Sequence, residues 1–420
     1  MRRLVFVLAL LPLPAWAEFY TLKGHGGPIM GIATASDGRI ATASFDNSVG
    51  LWSERQPEWL EGHEAAVNSV AFNGTAIYSA GDDFTLRRWP GGDVVGQHKG
   101  KIVGLAASKT HVATASWDGT IGLWPEDGSA PKMLGPTGSG VNAVTFTPDG
   151  TQLYSAGVDG TLRLWDVATG QELERLIEHG FGINELALNP QDNWIAYGAV
   201  DGITRVRDLT TGEERDFTLG RRPILALALS PDRRMLAVGD GEGYIMVIDT
   251  IEWRIAQDFR ATLRGPVWAL AFSTDGQNIH AGGIDEAMYS WPVTSLGDHT
   301  QMAATQPDFL KQPEEMGNGE RQFARKCSIC HSLTPDGQRR AGPTLHNIFG
   351  RKAGTLPGYL YSDILQDSDI IWDEDTINAL FDEGPDHYIP GSKMPMQRIS
   401  ATQDRTDLIA FLRRATVPEN

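Results

Sequence analysis

The sequence predicts two folded units in series: an all-β repeat region over residues 18–295 and a small helical domain over residues 317–420. Three observations predict them. Within the first three hundred residues an acidic residue stands six places before a Trp, or before its replacement, seven times. That pattern stops after Trp291 and gives way to a polar stretch with Pro307 and Pro313. Beyond it lie the only two cysteines of the chain, in Cys327-Ser328-Ile329-Cys330-His331, and a closing segment with helical apolar spacing. The chain is too long for one small domain and long enough for two.

Residues 1–17 read as a secretory signal peptide. Arg2 and Arg3 form a charged start, residues 4–13 an apolar run too short to span a bilayer, and Ala15-Trp16-Ala17 a small-x-small cleavage site. A retained membrane anchor is the alternative. The arginine pair lacks the longer surroundings of a twin-arginine signal. The expectation is a soluble, exported, periplasmic protein that begins near Glu18, with no stable membrane insertion after cleavage. Net charge is −17 and unevenly spread. Residues 18–300 hold 21 basic and 36 acidic residues, whereas residues 317–420 hold 12 and 14. An acidic body argues against nucleic acid and anionic lipid as partners.

Asp46 precedes Trp52, Asp83 precedes Trp89, Asp118 precedes Trp124 and Asp159 precedes Trp165. Asp201 keeps the spacing before Arg207, Glu242 before Ile248 and Asp285 before Trp291. The intervals of 37, 35, 41, 42, 41 and 43 residues are those of a repeat array. His25, His63, His98 and His179 open four of the units. Runs such as Ile40-Ala41-Thr42-Ala43-Ser44 alternate apolar and polar, and Asp-Gly turns punctuate them. With Gly24-His25, Gly62-His63 and Trp165-Asp166, these units resemble the WD40 family. The resemblance implies a seven-bladed β-propeller with four antiparallel strands per blade. The last unit reaches only its third strand near Trp291. Residues 18–23 are therefore expected to close the final blade, which leaves no open sheet edge.

The same resemblance reads His25, Ser44, Asp46 and Trp52 in blade one as a buried hydrogen-bond chain. In blade three it reads His98, Ser116, Asp118 and Trp124. A Ser-His-Asp set also suggests a hydrolase triad, but its recurrence favours a structural role, because buried polar groups need partners. Blades four, six and seven lack the Gly-His pair, and Arg207 and Ile248 replace the Trp. Those blades are expected to be less regular and to carry any specialised surface. Residues 296–316 then read as a linker, about twenty flexible residues spanning roughly 25 Å.

C-x-x-C-H is the pattern for covalent haem attachment. Two thiols three places apart each bond one vinyl group, and the next His reaches the iron. A thioredoxin-like redox pair and half of a zinc site are the alternatives. The first needs a βαβ context and the second a further ligand pair, and the sequence offers neither. Export agrees with haem, since c-type haem is attached outside the cytoplasm in bacteria. Residues 320–326 are expected to form a short helix that delivers the thiols. Residues 404–415, apolar at 408, 409, 411 and 412, are expected to form a helix with one buried face.

Residues 317–417 resemble class I cytochromes c, near the mitochondrial and bacterial c2 type. The matching pieces are the Cys-x-x-Cys-His stretch, the run from Gly342-Pro343 to Gly350-Arg351-Lys352, Trp372, Tyr388-Ile389-Pro390-Gly391-Ser392-Lys393-Met394 and the closing helix. The resemblance implies an all-α class I domain whose first and last helices cross at Gly319, Phe323, Leu408 and Phe411. One covalently bound haem c would supply much of its core. His331 is then the proximal iron ligand and Met394, 63 residues on, the distal one, with Met396 as its rival. His346 and His387 are not expected to ligate. The Pro343 carbonyl is expected to accept the His331 ring N–H. Arg351, Tyr361 and Trp372 match residues that hold the haem propionates, and Ser392 a hydroxyl near the ligand loop. The chain departs from the family at Leu380 and Leu365, where an aromatic and an amide are usual. Asp386-His387 replaces a basic pair, while Lys326, Arg339, Arg340 and Lys393 remain of the basic ring around the haem edge.

Two filled axial positions favour electron transfer over chemistry on oxygen or substrate. The leading expectation is a periplasmic monohaem electron carrier rather than a catalyst, with redox partner proteins docking on the propeller and the haem edge. Two other readings stand. One is an oxidoreductase whose propeller bears an active site that reduces its own haem. The other is a haem-based redox sensing or assembly factor.

Overall fold

The computed structural model describes residues 17–296, 315–335, 340–394 and 397–417. Residues 1–16 of the expected signal peptide, most of the expected linker, Arg339 and Met396 lie outside the described residues.

With strands numbered in chain order, β1 (Tyr20–Lys23) precedes the first complete blade. That blade pairs β2 (Ile29–Thr34), β3 (Ile40–Ser44), β4 (Ser48–Ser53) and β5 (Gln56–Glu61) in order. Among the described residues there are seven such four-stranded antiparallel sheets. The innermost strands are β2, β6 (Val67–Asn73), β10 (Ile102–Ala107), β14 (Val141–Phe146), β18 (Ile183–Asn189), β22 (Ile224–Leu229) and β26 (Val267–Phe272). Each touches the next, and β26 returns to β2, so the ring is closed. All seven carry a bulge near their start, as between Ile29 and Gly31, which adds local twist. Asn68, Asn142 and Asn184 each donate a side-chain N–H to a carbonyl of the next inner strand, at 2.7–3.0 Å.

The chain's two ends of the ring meet in blade seven. There β1 pairs with β28 (Ala287–Pro292), which lies beside β27 (Asn278–Gly283) and β26. Tyr20 faces Ser290 and Lys23 faces Ala287. Asn278 Nδ2 donates to the Glu18 carbonyl at 3.0 Å, and Phe19 packs on Trp291 with ring centroids 4.6 Å apart.

In blade one, His25 Nδ1 lies 3.0 Å from the Asp46 carboxylate and His25 Nε2 lies 2.7 Å from the Thr42 hydroxyl. Trp52 Nε1 donates to the same hydroxyl at 2.8 Å. Thr114 takes this place in blade three and Ser79 in blade two. This corrects the expectation for Ser44 and Ser116. Those two end their strands and turn their hydroxyls to the carbonyls of Gly27 and Gly100. Thr42 faces Gly50 across the strand pair. A Cβ on Gly50 would stand 2.8–3.0 Å from the polar atoms of Thr42, Trp52 and His25, so the glycine provides the room in which the three converge. Burial opposes ionisation of Asp46, but hydrogen bonds from His25, Ser48 and the Gly26 N–H outweigh it and hold the carboxyl at about 2.

Blades four to seven are as regular as the others, contrary to expectation: each is four-stranded and carries the same bulge. Other contacts replace the missing Trp. Arg205 pairs with Asp201 at 2.9 Å beside His179, Ile248 is fully buried, and Trp194 meets Trp253 edge-on at 5.6 Å. In blade six the turn carboxylate is that of Asp240 rather than Glu242. It accepts from the N–H groups of Glu242 and Tyr244 at 2.9 and 3.0 Å.

The C-terminal region contains α1 (Asn318–Lys326), α2 (Asp363–Gln366), α3 (Glu374–Glu383), α4 (Pro385–Tyr388) and α5 (Thr402–Ala415), joined by loops and one isolated bridge between Lys352 and Ile371. A capping box starts α3, where Asp373 accepts from the Thr376 N–H and the Thr376 hydroxyl bonds the Asp373 N–H, each at 2.8 Å. Helices α1 and α5 approach closely because Gly319 has no side chain. A Cβ there would overlap the Asp407 carbonyl. Phe323 and Phe411 pack 5.7 Å apart, and Asn318 Nδ2 donates to Asp404 and Asp407 at 2.8 and 2.7 Å. Among the described residues no helix is long and apolar enough to cross a membrane.

Candidate cofactor site

The C-terminal end of α1 continues in helical turns through the cysteine motif. The N–H of Cys327 bonds the Phe323 carbonyl at 2.8 Å, and those of Cys330 and His331 bond the Cys327 carbonyl at 3.0 and 2.8 Å. Burial pushes the Cys327 thiol up to about 12 and the Cys330 thiol up to about 11. A redox-active Cys-x-x-Cys pair keeps a low-pKa thiolate, so this pair does not behave as one.

His331 is oriented from behind. Its Nδ1 lies 2.7 Å from the Pro343 carbonyl oxygen, which can only accept, so Nδ1 carries the proton and Nε2 keeps a lone pair for a metal. Gly342 makes this fit possible, since a Cβ there would overlap the imidazole. Burial lowers the His331 pKa, which keeps the ring neutral and able to ligate.

Cys327, Cys330, His331, Pro343, Arg351, Tyr361, Trp372, Ser392 and Met394 all line one cavity of about 740 Å³. Its other walls in this region are largely apolar, including Leu345, Ile348, Leu365, Leu380, Phe381 and Ile389. His346 and His387 are not among the lining residues, and His387 is exposed beside Asp386. Arg351 donates to the carbonyls of Thr344 and His346 at 2.8 and 3.0 Å, bracing the loop that carries Pro343. Burial lowers its pKa. Tyr359 also lines the cavity, with its hydroxyl bonded to the Ala341 carbonyl and its ring 4.7 Å from that of Tyr361. Sequence reasoning missed Tyr359. Its only signal is the Tyr-x-Tyr spacing, which is too common to carry weight.

The cavity has a second set of walls that no sequence pattern announced. Phe45 and Asn47 from the turn between β3 and β4, residues 64–66 before β6, and Asp82, Asp83 and Phe84 from the corresponding turn of blade two all line it. Outside the cavity lining, Glu286 of blade seven pairs its carboxylate with Arg340 at 2.5 Å. Lys393 also lines the cavity; burial lowers its pKa, and the nearby Glu64 and Asp83 charges oppose that shift.

The arrangement fits haem. Two thiols and an imidazole with a free Nε2 stand on one side of an apolar space of porphyrin dimensions. A thioether, Met394, lines the same space, and thioether with imidazole is a ligand set that holds iron in a low-spin, electron-transferring state.

Comparison with known proteins agrees. The family model "Cytochrome c" matches residues 316–416. The model "WD domain, G-beta repeat" matches residues 16–53, 56–90, 94–125 and 131–166. Cytochrome c of Sesamum indicum is 41% identical over 106 residues, which is 25% of this chain and 93% of that protein. Cytochrome c2 of Rhodomicrobium vannielii is 42% identical over 94 residues, 22% of this chain and 74% of that protein. Cytochrome c of Arabidopsis thaliana is 40% identical over 98 residues, 23% and 87% respectively. A chain whose N-terminal region is a seven-bladed propeller of WD40 repeats thus belongs, through residues 316–416, to the class I cytochrome c family.

Proposed function

We propose that the protein is an exported, soluble electron carrier of the periplasm. One haem c is held covalently by Cys327 and Cys330 in an all-α class I domain, and the propeller serves as a platform for redox partner proteins. The observation that supports this most is the single cavity on which both thiols, His331 and Met394 stand together. Haem, when bound, supplies one-electron redox chemistry at its iron. The chain's own residues orient and shelter it. Pro343 fixes the tautomer of His331 through the 2.7 Å hydrogen bond. Gly342 leaves the imidazole its place, and the apolar walls keep water from the reacting centre. Arg351, Tyr361 and Trp372 are available to a propionate edge, and Ser392 stands two residues before the distal thioether. Electron carriage rather than turnover follows from two protein ligands that leave no open position for substrate.

The test is a potentiometric titration of the purified full-length holoprotein, followed by mixing with its native periplasmic extract. One haem per chain with reversible one-electron behaviour, and rapid exchange with a protein fraction, are expected. Reduction by the small-molecule fraction alone would replace this reading with an enzymatic one. Met394→Ala is expected to abolish the weak sulfur-to-iron charge-transfer band of the oxidised protein and to lower the potential. A band that persists in this variant assigns the ligand elsewhere.

A further inference from the structure

Among the described residues, the basic side chains left around the cofactor edge, Lys326, Arg340 and Lys393, stand against the propeller. Arg340 pairs with Glu286 of blade seven at 2.5 Å, its side chain only 10% exposed. Lys326 and Lys393 line the same cavity as Glu64, Asp82 and Asp83 of the propeller, whose Lys101 also lines it and pairs with Asp82, so that the propeller side keeps a net negative charge. Phe45 and Phe84 bring apolar surface to the centre of that contact. An apolar centre between an acidic and a basic surface is the layout of an encounter between two redox proteins. Here both halves belong to one chain.

We propose that the propeller is the resident docking partner of the cofactor crevice: turns of blades one and two close its mouth, the Glu286–Arg340 pair of blade seven holds them there, and an external redox partner must displace them to reach the cofactor edge. This rests on the electron-carrier reading. Tethering accounts for the thinned basic ring. A joined partner acts at an effective concentration up to the millimolar range, so a few charges suffice where a free partner needs many. An external partner with an acidic surface competes for the same Lys326, Arg340 and Lys393.

The experiment uses the full-length holoprotein. Acetylation of Lys326 and Lys393 by acetic anhydride is followed by mass spectrometry, with exposed Lys109 as internal reference. Raising NaCl from 10 mM to 1 M shortens the screening length from about 30 Å to about 3 Å. Both lysines are expected to become more reactive relative to Lys109. Glu286→Arg is expected to raise their reactivity about tenfold at low salt, and the exchange Glu286→Arg with Arg340→Glu to restore protection. The rate of one-electron reduction by ascorbate should rise and fall with the labelling. Lysine reactivity that stays the same across the salt series overturns the proposal, and the wild-type series decides even if a variant fails to fold. A charge exchange that folds and does not restore protection overturns it too. Labelling reports the contact without any electron exchange. Opening without exchange with any periplasmic protein would therefore sink the carrier reading and leave this one standing.

Discussion

The propeller and the C-terminal region solve the problem of a buried interior in opposite ways. The propeller fills itself. Its inner strands touch around a closed ring, and polar groups buried in its blades are joined in chains such as Trp52–Thr42–His25–Asp46. The C-terminal region surrounds, together with turns of the propeller, a space of about 740 Å³. The first is a protein-only core, and the second is complete only around a prosthetic group. Stability of the one is a matter of strands and hydrogen bonds, and on the proposed reading stability of the other is a matter of the links to its cofactor.

Removing the thiols should break this contrast most. Cys327→Ala with Cys330→Ala is expected to yield protein whose haem extracts into acidified organic solvent. Calorimetry should then show the C-terminal transition gone and the propeller transition retained. Loss of both transitions would mean that the two regions fold as one unit.

Deleting residues 18–23 attacks the other side. It removes β1, including the Leu22 side chain that is 3% exposed. Burying one such side chain is worth about 1.5–3 kcal/mol before the strand's hydrogen bonds are counted. The propeller transition should fall by at least about 3 kcal/mol while the haem spectrum stays unchanged. An unaltered propeller melt would show that the ring closes without its N-terminal strand.

Acid should sharpen the contrast within the propeller. His280 in β27 is fully buried, with Nδ1 3.1 Å from the Ser290 hydroxyl. Burial depresses its pKa from 6.5 to about 4. Between those values the unfolded chain binds more protons than the folded one. This stabilisation is fully present above pH 6.5 and is lost as pH falls through 4, about 3 kcal/mol in all. Glu185 on the inner strand β18 has the opposite sign, since burial raises its pKa from 4.5 to about 8 and stability declines as pH rises between them. Melting curves of the propeller from pH 4 to 9 should lose their acid limb in His280→Gln and their alkaline limb in Glu185→Gln. Curves identical to wild type would refute the burial argument.

The smallest expected effect is Trp52→Phe, which removes one donor from the Thr42 hydroxyl and leaves His25 as its partner. A loss of about 1 kcal/mol in urea melts is expected. A loss several times larger would mean that the blade's polar chain acts as a unit rather than as separate bonds.

Much of this was legible in the linear sequence. Seven six-residue spacings, five of them from Asp to Trp, counted the blades, and the missing fourth strand after Trp291 pointed back to residues 18–23. The spacing of Cys327, Cys330 and His331 needed no tertiary information, because one helical turn brings them together. What sequence did not show depends on register or on distance along the chain. Thr42 and Ser44 lie on the same strand with the same chemistry, and only the pairing of Thr42 with Gly50 decides between them. Asp240 does for blade six what Glu242 was expected to do, from the last position of β23, where blade one has Ser44. Arg205 and the Trp194–Trp253 pair stabilise blades that lack the repeat's Trp; Arg205 stands four places after the turn Asp, as Arg87 and Arg163 do in blades two and four, a recurrence that sequence reasoning passed over. The propeller walls of the cofactor cavity, Phe84 and Asp83 among them, come from some 250 residues upstream of the cysteines and carry no motif for that role.

The pairing of β1 with β28 also sets an order in time. Tyr20 is synthesised early and has no partner until Ser290 exists, so the last contact of the ring joins nearly its most distant residues. Such long-range closure is slow relative to the local hairpins of each blade. Six blades can form behind the ribosome as self-contained meanders while the first strand stays unpaired. The cysteines follow only after β28 is complete, and the propeller holds no thiol of its own. Ring closure can therefore precede the arrival of Cys327 and Cys330, and the proposed chemistry at those thiols would meet a chain whose larger half has no competing thiol to offer.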